Sequence, residues 1–179
     1  MIEARIFVDD LNPAKAILLS EDAQVKGDYE IEDTIYGSTD LKVSLNNEFL
    51  RLRFIPKNIW DEMPVILSIK KTNLREVGKE SEIPFRVEFD SKQEAEAYYA
   101  KHLSKRFRKS FTFSRVGRQH ILSNGDVVDL EVIEDRYGSI EFKSATDKSM
   151  KALLELFSIG RESVIKGPSV VAIKNRLNS

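Results

Sequence analysis

No cysteine occurs in the 179 residues, which excludes a disulfide framework, thiol catalysis and cysteine-based zinc sites. Histidine is also scarce: His102 and His120 are far apart and neither lies in a Ser- or Asp-containing motif. Both read as surface or helix-end residues, not as catalytic ones. No charge of either sign is in excess, with 28 Lys and Arg against 29 Asp and Glu and a net charge of -1. A general nucleic-acid binder usually carries a basic surplus, so none is expected as a partner. No apolar run approaches the roughly 20 residues needed to cross a bilayer. The opening Met1-Ile2-Glu3-Ala4-Arg5 does not read as a signal peptide, and a soluble cytoplasmic protein is the expectation. With 8 glycines and 5 prolines there is no linker or low-complexity tract, so one domain over residues 1–179 is expected.

What is present is charge laid on strand-like segments. Hydrophobic residues make up 41% and charged residues 32%. Many short segments alternate apolar and polar residues, the period of a β-strand. Ile2–Val8, Phe49–Ile55, Pro64–Thr72, Pro84–Asp90 and Phe107–Ser114 all show it, and Asp33–Tyr36 with Leu41–Leu45 reads as a strand pair. Val127–Glu134 and Ser139–Ser144 read as a hairpin around Asp135–Gly138. Helices are expected after a cap at Asn12, after Ser91 with Glu94 as a capping box, over Asp147–Phe157, and over Val170–Leu177 after a cap at Ser169. The expected fold is α+β, with about eight strands forming a closed antiparallel barrel flanked by helices, not the regular alternation of a Rossmann domain.

The informative residues sit on the polar faces. Ionisable residues recur two apart: Glu3 and Arg5, Arg51 and Arg53, Arg86 and Glu88, Asp129 and Glu131, Glu141 and Lys143; Lys70 and Arg108 stand singly. A spacing of two puts each pair on one side of a sheet. If those faces line a closed barrel, the interior charge needs a ligand to complete it. A polyphosphate suits the arginines and lysines, and Mg²⁺ or Mn²⁺ suits the carboxylates. If the faces point to solvent, they serve solubility and cross-strand pairing. Alternation alone favours the second reading, because paired arginines occur on many strands. Trp60, in Asn58–Met63, reads as a packing anchor. Asn124-Gly125-Asp126 is a turn and not a phosphate loop.

The order of these elements resembles the CYTH family, the triphosphate tunnel metalloenzymes. That family carries an E-x-E-x-K strand, then L-R-x-R, a Lys strand, R-x-E, a basic strand, and an acidic strand leading through Gly into E-x-E. The corresponding residues here are Glu3 and Arg5, Leu50-Arg51-Leu52-Arg53, Lys70, Arg86-Val87-Glu88, Arg106-Phe107-Arg108-Lys109, Asp129-Leu130-Glu131, Gly138, and Glu141-Phe142-Lys143. The resemblance implies a β-barrel tunnel that takes a triphosphate-containing small molecule or inorganic polyphosphate. It implies phosphate binding by Arg51, Arg53, Lys70, Arg86, Arg108, Lys109 and Lys143. Glu3, Asp129, Glu131 and Glu141 would hold Mg²⁺ or Mn²⁺, and Arg5, Lys70 and Glu88 would act at the reacting phosphate. Two positions depart from the pattern: the first Glu falls on Met1 and the last on Lys143.

Three functions follow. One is a metal-dependent triphosphate hydrolase, with ATP cyclisation as a sub-case. The second is a module that binds phosphates without cleaving them, Lys143 replacing part of the metal charge. The third is a structural protein without a ligand. A homodimer is compatible with a barrel, but no residue pattern specifies one.

Overall fold

The computed structural model describes residues 1–40 and 44–179. The chain runs β1 (Ile2–Val8), α1 (Asn12–Ser20), β2 (Gln24–Ser38), β3 (Glu48–Lys57), β4 (Val65–Leu74), β5 (Lys79–Phe89), α2 (Lys92–His102), β6 (Phe107–Ile121), β7 (Val127–Ile133), β8 (Tyr137–Ser144), α3 (Asp147–Leu156), a 3-10 turn at Arg161–Ser163 and α4 (Ser169–Leu177). The eight strands close into an antiparallel ring in the order β1-β5-β4-β3-β2-β6-β7-β8. Among the described residues no helix is long and apolar enough to cross a membrane.

The joints of the ring are unequal. Strands β2 and β6 pair along nearly their whole length, from Gln24↔Ile121 to Ser38↔Phe107. Strand β1 pairs with β8 from Ile2↔Ser144 to Val8↔Gly138. Its other flank meets β5 only at Ile2↔Glu80 and Glu3↔Lys79. Gly78, in the β4–β5 turn, has a φ of +91°, and a Cβ there would overlap the carbonyl oxygen of Glu3. Glycine is therefore what lets that turn press against β1.

Alternation divides the strand faces. The outward residues Ile2, Ala4, Ile6, Leu130, Ile140 and Phe142 pack under α1 and α3, against Leu18, Met150, Leu153, Leu154 and Phe157. Leu50, Leu52, Val65, Leu67 and Ile69 pack under Ala95 of α2 with Tyr36 and Phe107. Inside the ring, Ile35, Phe49, Phe113 and Ile133 meet Val170 and Ile173 of α4, which closes one end. Tyr29, Ile31, Ile55 and Ile66, with Ile59 and Trp60, fill the other. The charged residues lie between these two apolar plugs.

Several local expectations shift. Helix α1 takes Leu11 as its N-cap with no side-chain cap, and Asn12 is its first helical residue. Its amide donates to Asp10 Oδ1 at 2.9 Å, so the capping oxygen comes from two residues earlier. Pro168, not Ser169, caps α4, because the Ser169 hydroxyl is turned to accept from Lys79 Nζ. Ser91 accepts from the Glu94 amide as expected, and Thr146 with Ser149 forms a full capping box on α3. Three residues of the expected strand Leu41–Leu45, 41–43, lie outside the described residues, and Leu45 sits in a turn.

Candidate anion-binding site

The ring encloses a cavity of about 220 Å³. Its lining includes seven basic side chains, Arg5, Arg51, Arg53, Lys70, Lys79, Arg115 and Lys143, against four acidic ones, Glu3, Asp33, Glu131 and Glu141. The positions follow from cross-strand register, since directly opposed residues share a face. Arg5 opposes Glu141 and Glu3 opposes Lys143. Arg51 opposes Ser68, and Asp33 opposes Arg53 and Phe113.

On the β7–β8–β1 wall the charges neutralise one another. Glu131 is 1% exposed. It accepts from Arg5 Nη1, from the Tyr29 hydroxyl at 2.6 Å and from Arg115 Nη1 at 3.2 Å. Burial works to raise its pKa, but Arg115 and Arg5 outweigh it and the net shift is downward. Glu141 lies 2.8 Å from Arg5 Nη2 and 3.4 Å from Lys143 Nζ. Burial opposes its ionisation too, yet Arg5 and Lys143 hold it well below the usual carboxylate range. Asp129 accepts from Lys143 Nζ at 2.6 Å and from Gln119 Nε2 at 2.9 Å. Burial raises Asp129, with Lys143 opposing. Lys143 in turn stays above its ordinary pKa, because Glu141 and Asp129 overcome the cost of burying it.

The β3–β4–β5 wall differs. Arg53 is tied to Asp33 by two hydrogen bonds, at 2.8 and 2.7 Å. Arg51 comes no nearer than 4.0 Å to Asp33, and its Nε has no hydrogen-bond partner among the described residues; nor has the buried Ser68 hydroxyl opposite it. Burial, then the charge of Arg53, pushes Arg51 down to about 9. Lys70 makes no ion pair among the described residues; burial, then Arg51, pushes it down to about 7. Burial lowers Lys79 to about 8, and its hydrogen bond goes to Ser169, not to a carboxylate. Three crowded cations without a close counter-charge make a site that an anion would relieve.

The structure brings together Glu3, Arg5, Arg51, Arg53, Lys70, Glu131, Glu141 and Lys143 around the cavity. Asp129 stands just behind it, holding Lys143. Arg86 and Glu88 do not join them: they pair with each other at 2.8 Å, Arg86 also with Glu62 at 2.9 Å, in a half-exposed cluster outside the lining. Arg108 and Lys109 are exposed. A bulge in β6 lies opposite Ile35 and Tyr36. It puts Phe107 on the outer face and Phe111, Phe113 and Arg115 on the inner one, so the expected single face of these phenylalanines is broken. Arg115, Lys79, Asp33 and Tyr29 are the lining residues that sequence reasoning missed.

The carboxylates expected to hold Mg²⁺ or Mn²⁺ do not fit a metal as they are arranged. Among the described residues no three His, Asp or Glu side chains gather to hold one. Each of Asp129, Glu131 and Glu141 already faces a guanidinium or ammonium group. Only Glu3 lacks a basic partner within ion-pair distance, its contact being a 3.4 Å hydrogen bond from Ser81.

No family model and no curated protein sequence matches the chain. Solved structures do. The PH1819 protein of Pyrococcus horikoshii OT3 superposes with a TM-score of 0.71 over 98% of both chains at 13% identity. The chain has the fold of the CYTH proteins. HpAC1 of Hippeastrum, a candidate adenylyl cyclase whose structure is reported with a dominant triphosphatase activity, matches over 87% of this chain and 85% of its own, with a TM-score of 0.63 and 16% identity. A candidate adenylate cyclase of Vibrio parahaemolyticus matches over 92% of both chains, with a TM-score of 0.60 and 10% identity. At these identities the likeness establishes the ring and its flanking helices, the fold alone.

Proposed function

We propose that the ring binds the phosphate chain of a small molecule, inorganic tripolyphosphate or a triphosphate ester, in its charged middle. The observation that carries this reading is the trio of buried Arg51 and Lys79 with half-buried Lys70, none closely paired with a carboxylate among the described residues. Arg51 offers an orphaned Nε–H and a planar fork suited to phosphate oxygens. Arg53, held by Asp33, adds a fixed charge beside it. The cavity is smaller than the roughly 300–1,000 Å³ of pockets for drug-sized ligands, so an organic group would sit at the mouth and only phosphates inside. Trp60 and Tyr29, tilted against each other with ring centroids 4.8 Å apart, both belong to the cavity lining.

A ligand bound only by the native state raises stability by about 2.7 kcal/mol at a hundredfold excess over Kd. Tripolyphosphate should therefore raise the Tm of the wild-type protein, and Arg51→Met with Lys70→Met should abolish the rise while leaving the protein folded. An undiminished rise in the double variant, or none in the wild type, would defeat the reading.

Hydrolysis is a second reading, favoured by the triphosphatase activity reported for HpAC1, a protein of the same fold. Water would attack the terminal phosphorus and the bridging P–O bond would break. The cationic wall would then stabilise the charge spread over the phosphoryl oxygens. Glu3 would orient the water, a role supported by its being the lining carboxylate without a basic partner within ion-pair distance among the described residues. Release of inorganic phosphate from tripolyphosphate and from ATP, each with and without Mg²⁺ or Mn²⁺, tests it; no release in any condition leaves binding alone, and cyclic AMP from ATP would mark cyclisation instead.

A further inference from the structure

Carboxylates clustered in an anion-binding tunnel need positive charge of their own, or they repel the ligand. A bound divalent cation is one way to supply it. Here the charge is covalent. All six oxygens of Asp129, Glu131 and Glu141 face a donor. Asp129 takes Gln119 on one oxygen and Lys143 on the other. Glu131 takes Tyr29 and Arg115 on one and Arg5 on the other. Glu141 takes Arg5 on one and Lys143 on the other.

We infer that Arg5 and Lys143 stand in for a resident divalent cation, so that the tunnel takes its oligophosphate as the free anion and not as the magnesium complex. The inference rests on the anion-binding reading. Mg²⁺ demands near-octahedral oxygen ligands at about 2.0–2.1 Å, and to reach these carboxylates it must displace Lys143 or Arg5. The displaced side chain would be left buried without its counter-charges, which is costly. The lining already carries seven basic groups against four acidic ones, so a further dication would have no unpaired carboxylate cluster to neutralise. In the family pattern that the sequence resembles, the position of Lys143 carries an acid, so a lysine there both removes a ligand oxygen and supplies the charge.

Two measurements decide it. In the first, Mn²⁺ is titrated into the phosphate-free protein and free Mn²⁺ is followed by electron paramagnetic resonance. Wild type should take up none at millimolar Mn²⁺, whereas Lys143→Glu, restoring an oxygen ligand and removing the ammonium, should bind at least about tenfold more tightly. Stoichiometric capture by the wild type overturns the inference, whether or not the variant folds. In the second, tripolyphosphate is titrated calorimetrically in EDTA and in Mg²⁺. Affinity in EDTA should equal or exceed that in Mg²⁺, and a tightening of about tenfold or more by Mg²⁺ overturns the inference. Absence of binding in both buffers defeats the anion-binding reading instead, and the Mn²⁺ titration still decides whether the carboxylates hold a metal.

Discussion

On the β7–β8–β1 wall of the tunnel, three carboxylates and three cations interlock until every carboxylate oxygen has a donor. Across the cavity, the β3–β4–β5 wall sets Arg51, Lys70 and Lys79 side by side with Glu3 and Asp33 too distant or too occupied to neutralise them. Similar residue types on similar strands thus reach opposite states. Part of the difference lies in cross-strand register: Arg5 opposes Glu141, whereas Arg51 opposes Ser68. Arg5 and Glu141, opposed in register, form an ion pair, and where a hydroxyl replaces the acid the charge is left for something else; register alone does not suffice, since Lys79 opposes Glu3 and bonds Ser169 instead. A buried network that is fully paired rigidifies the fold, while an unpaired one marks a functional site.

The contrast predicts that truncation on the two walls has different costs. Arg5→Ala strands Glu131 and Glu141 as buried, partly unpaired anions and should lower stability by about 3–5 kcal/mol, read from denaturant unfolding; a loss below about 1 kcal/mol would show that the paired wall does not hold the fold. Gly117→Ala acts on the same wall indirectly. A Cβ at 117 would overlap the Tyr29 ring and push its hydroxyl off Glu131, costing about 1–3 kcal/mol. Tyr29→Phe in the Gly117→Ala background should then add less than it does in the wild type, and strict additivity would break the link between the two residues.

The cationic wall predicts a pH effect. In the folded protein Lys70 titrates at about 7 and Lys79 at about 8, against roughly 10.4 for an unfolded lysine. Between about 7 and about 10 the unfolded chain therefore holds more protons, so the stability of the free protein rises with pH across that window and is flat below it. A bound anion favours the protonated lysines, so its stabilisation should grow as pH falls from about 9 towards 7. Lys70→Met should flatten both slopes in a Tm-against-pH series. Unchanged slopes would assign the titration to another group.

Much of this was legible from alternation. Glu3, Arg5, Arg51, Arg53, Lys70, Glu131, Glu141 and Lys143 face inward because their strands keep an uninterrupted period of two, and the apolar opposite faces of Ile2–Val8, Leu50–Leu52 and Val65–Ile69 pack under helices as that period requires. The residues that were missed lie where the period breaks or where the strand was read too short. The β6 bulge changes which face Arg115 occupies. Lys79 follows Gly78, at a turn where no apolar-polar rhythm had yet started. Asp33 has a local pattern that says strand, but its partner Arg53 lies 20 residues on, and only register reveals that the pair meets. The basic partners of the expected metal carboxylates were illegible for a related reason: a motif records which acids are present, not which bases reach them.

One joint of the ring is thin. Strand β1 belongs to the paired wall and β5 to the cationic one, and only Ile2↔Glu80 and Glu3↔Lys79 stitch them. With so few ladder bonds, this is where the ring should breathe, opening locally at a small fraction of the global unfolding free energy. Parting there separates the two walls. An oligophosphate held by both would behave as a latch, so its affinity would include the work of keeping the joint shut. Amide exchange at Glu3, Lys79 and Glu80 should then slow on saturation with tripolyphosphate far more than exchange along the β2–β6 ladder; equal slowing at both would remove the latch.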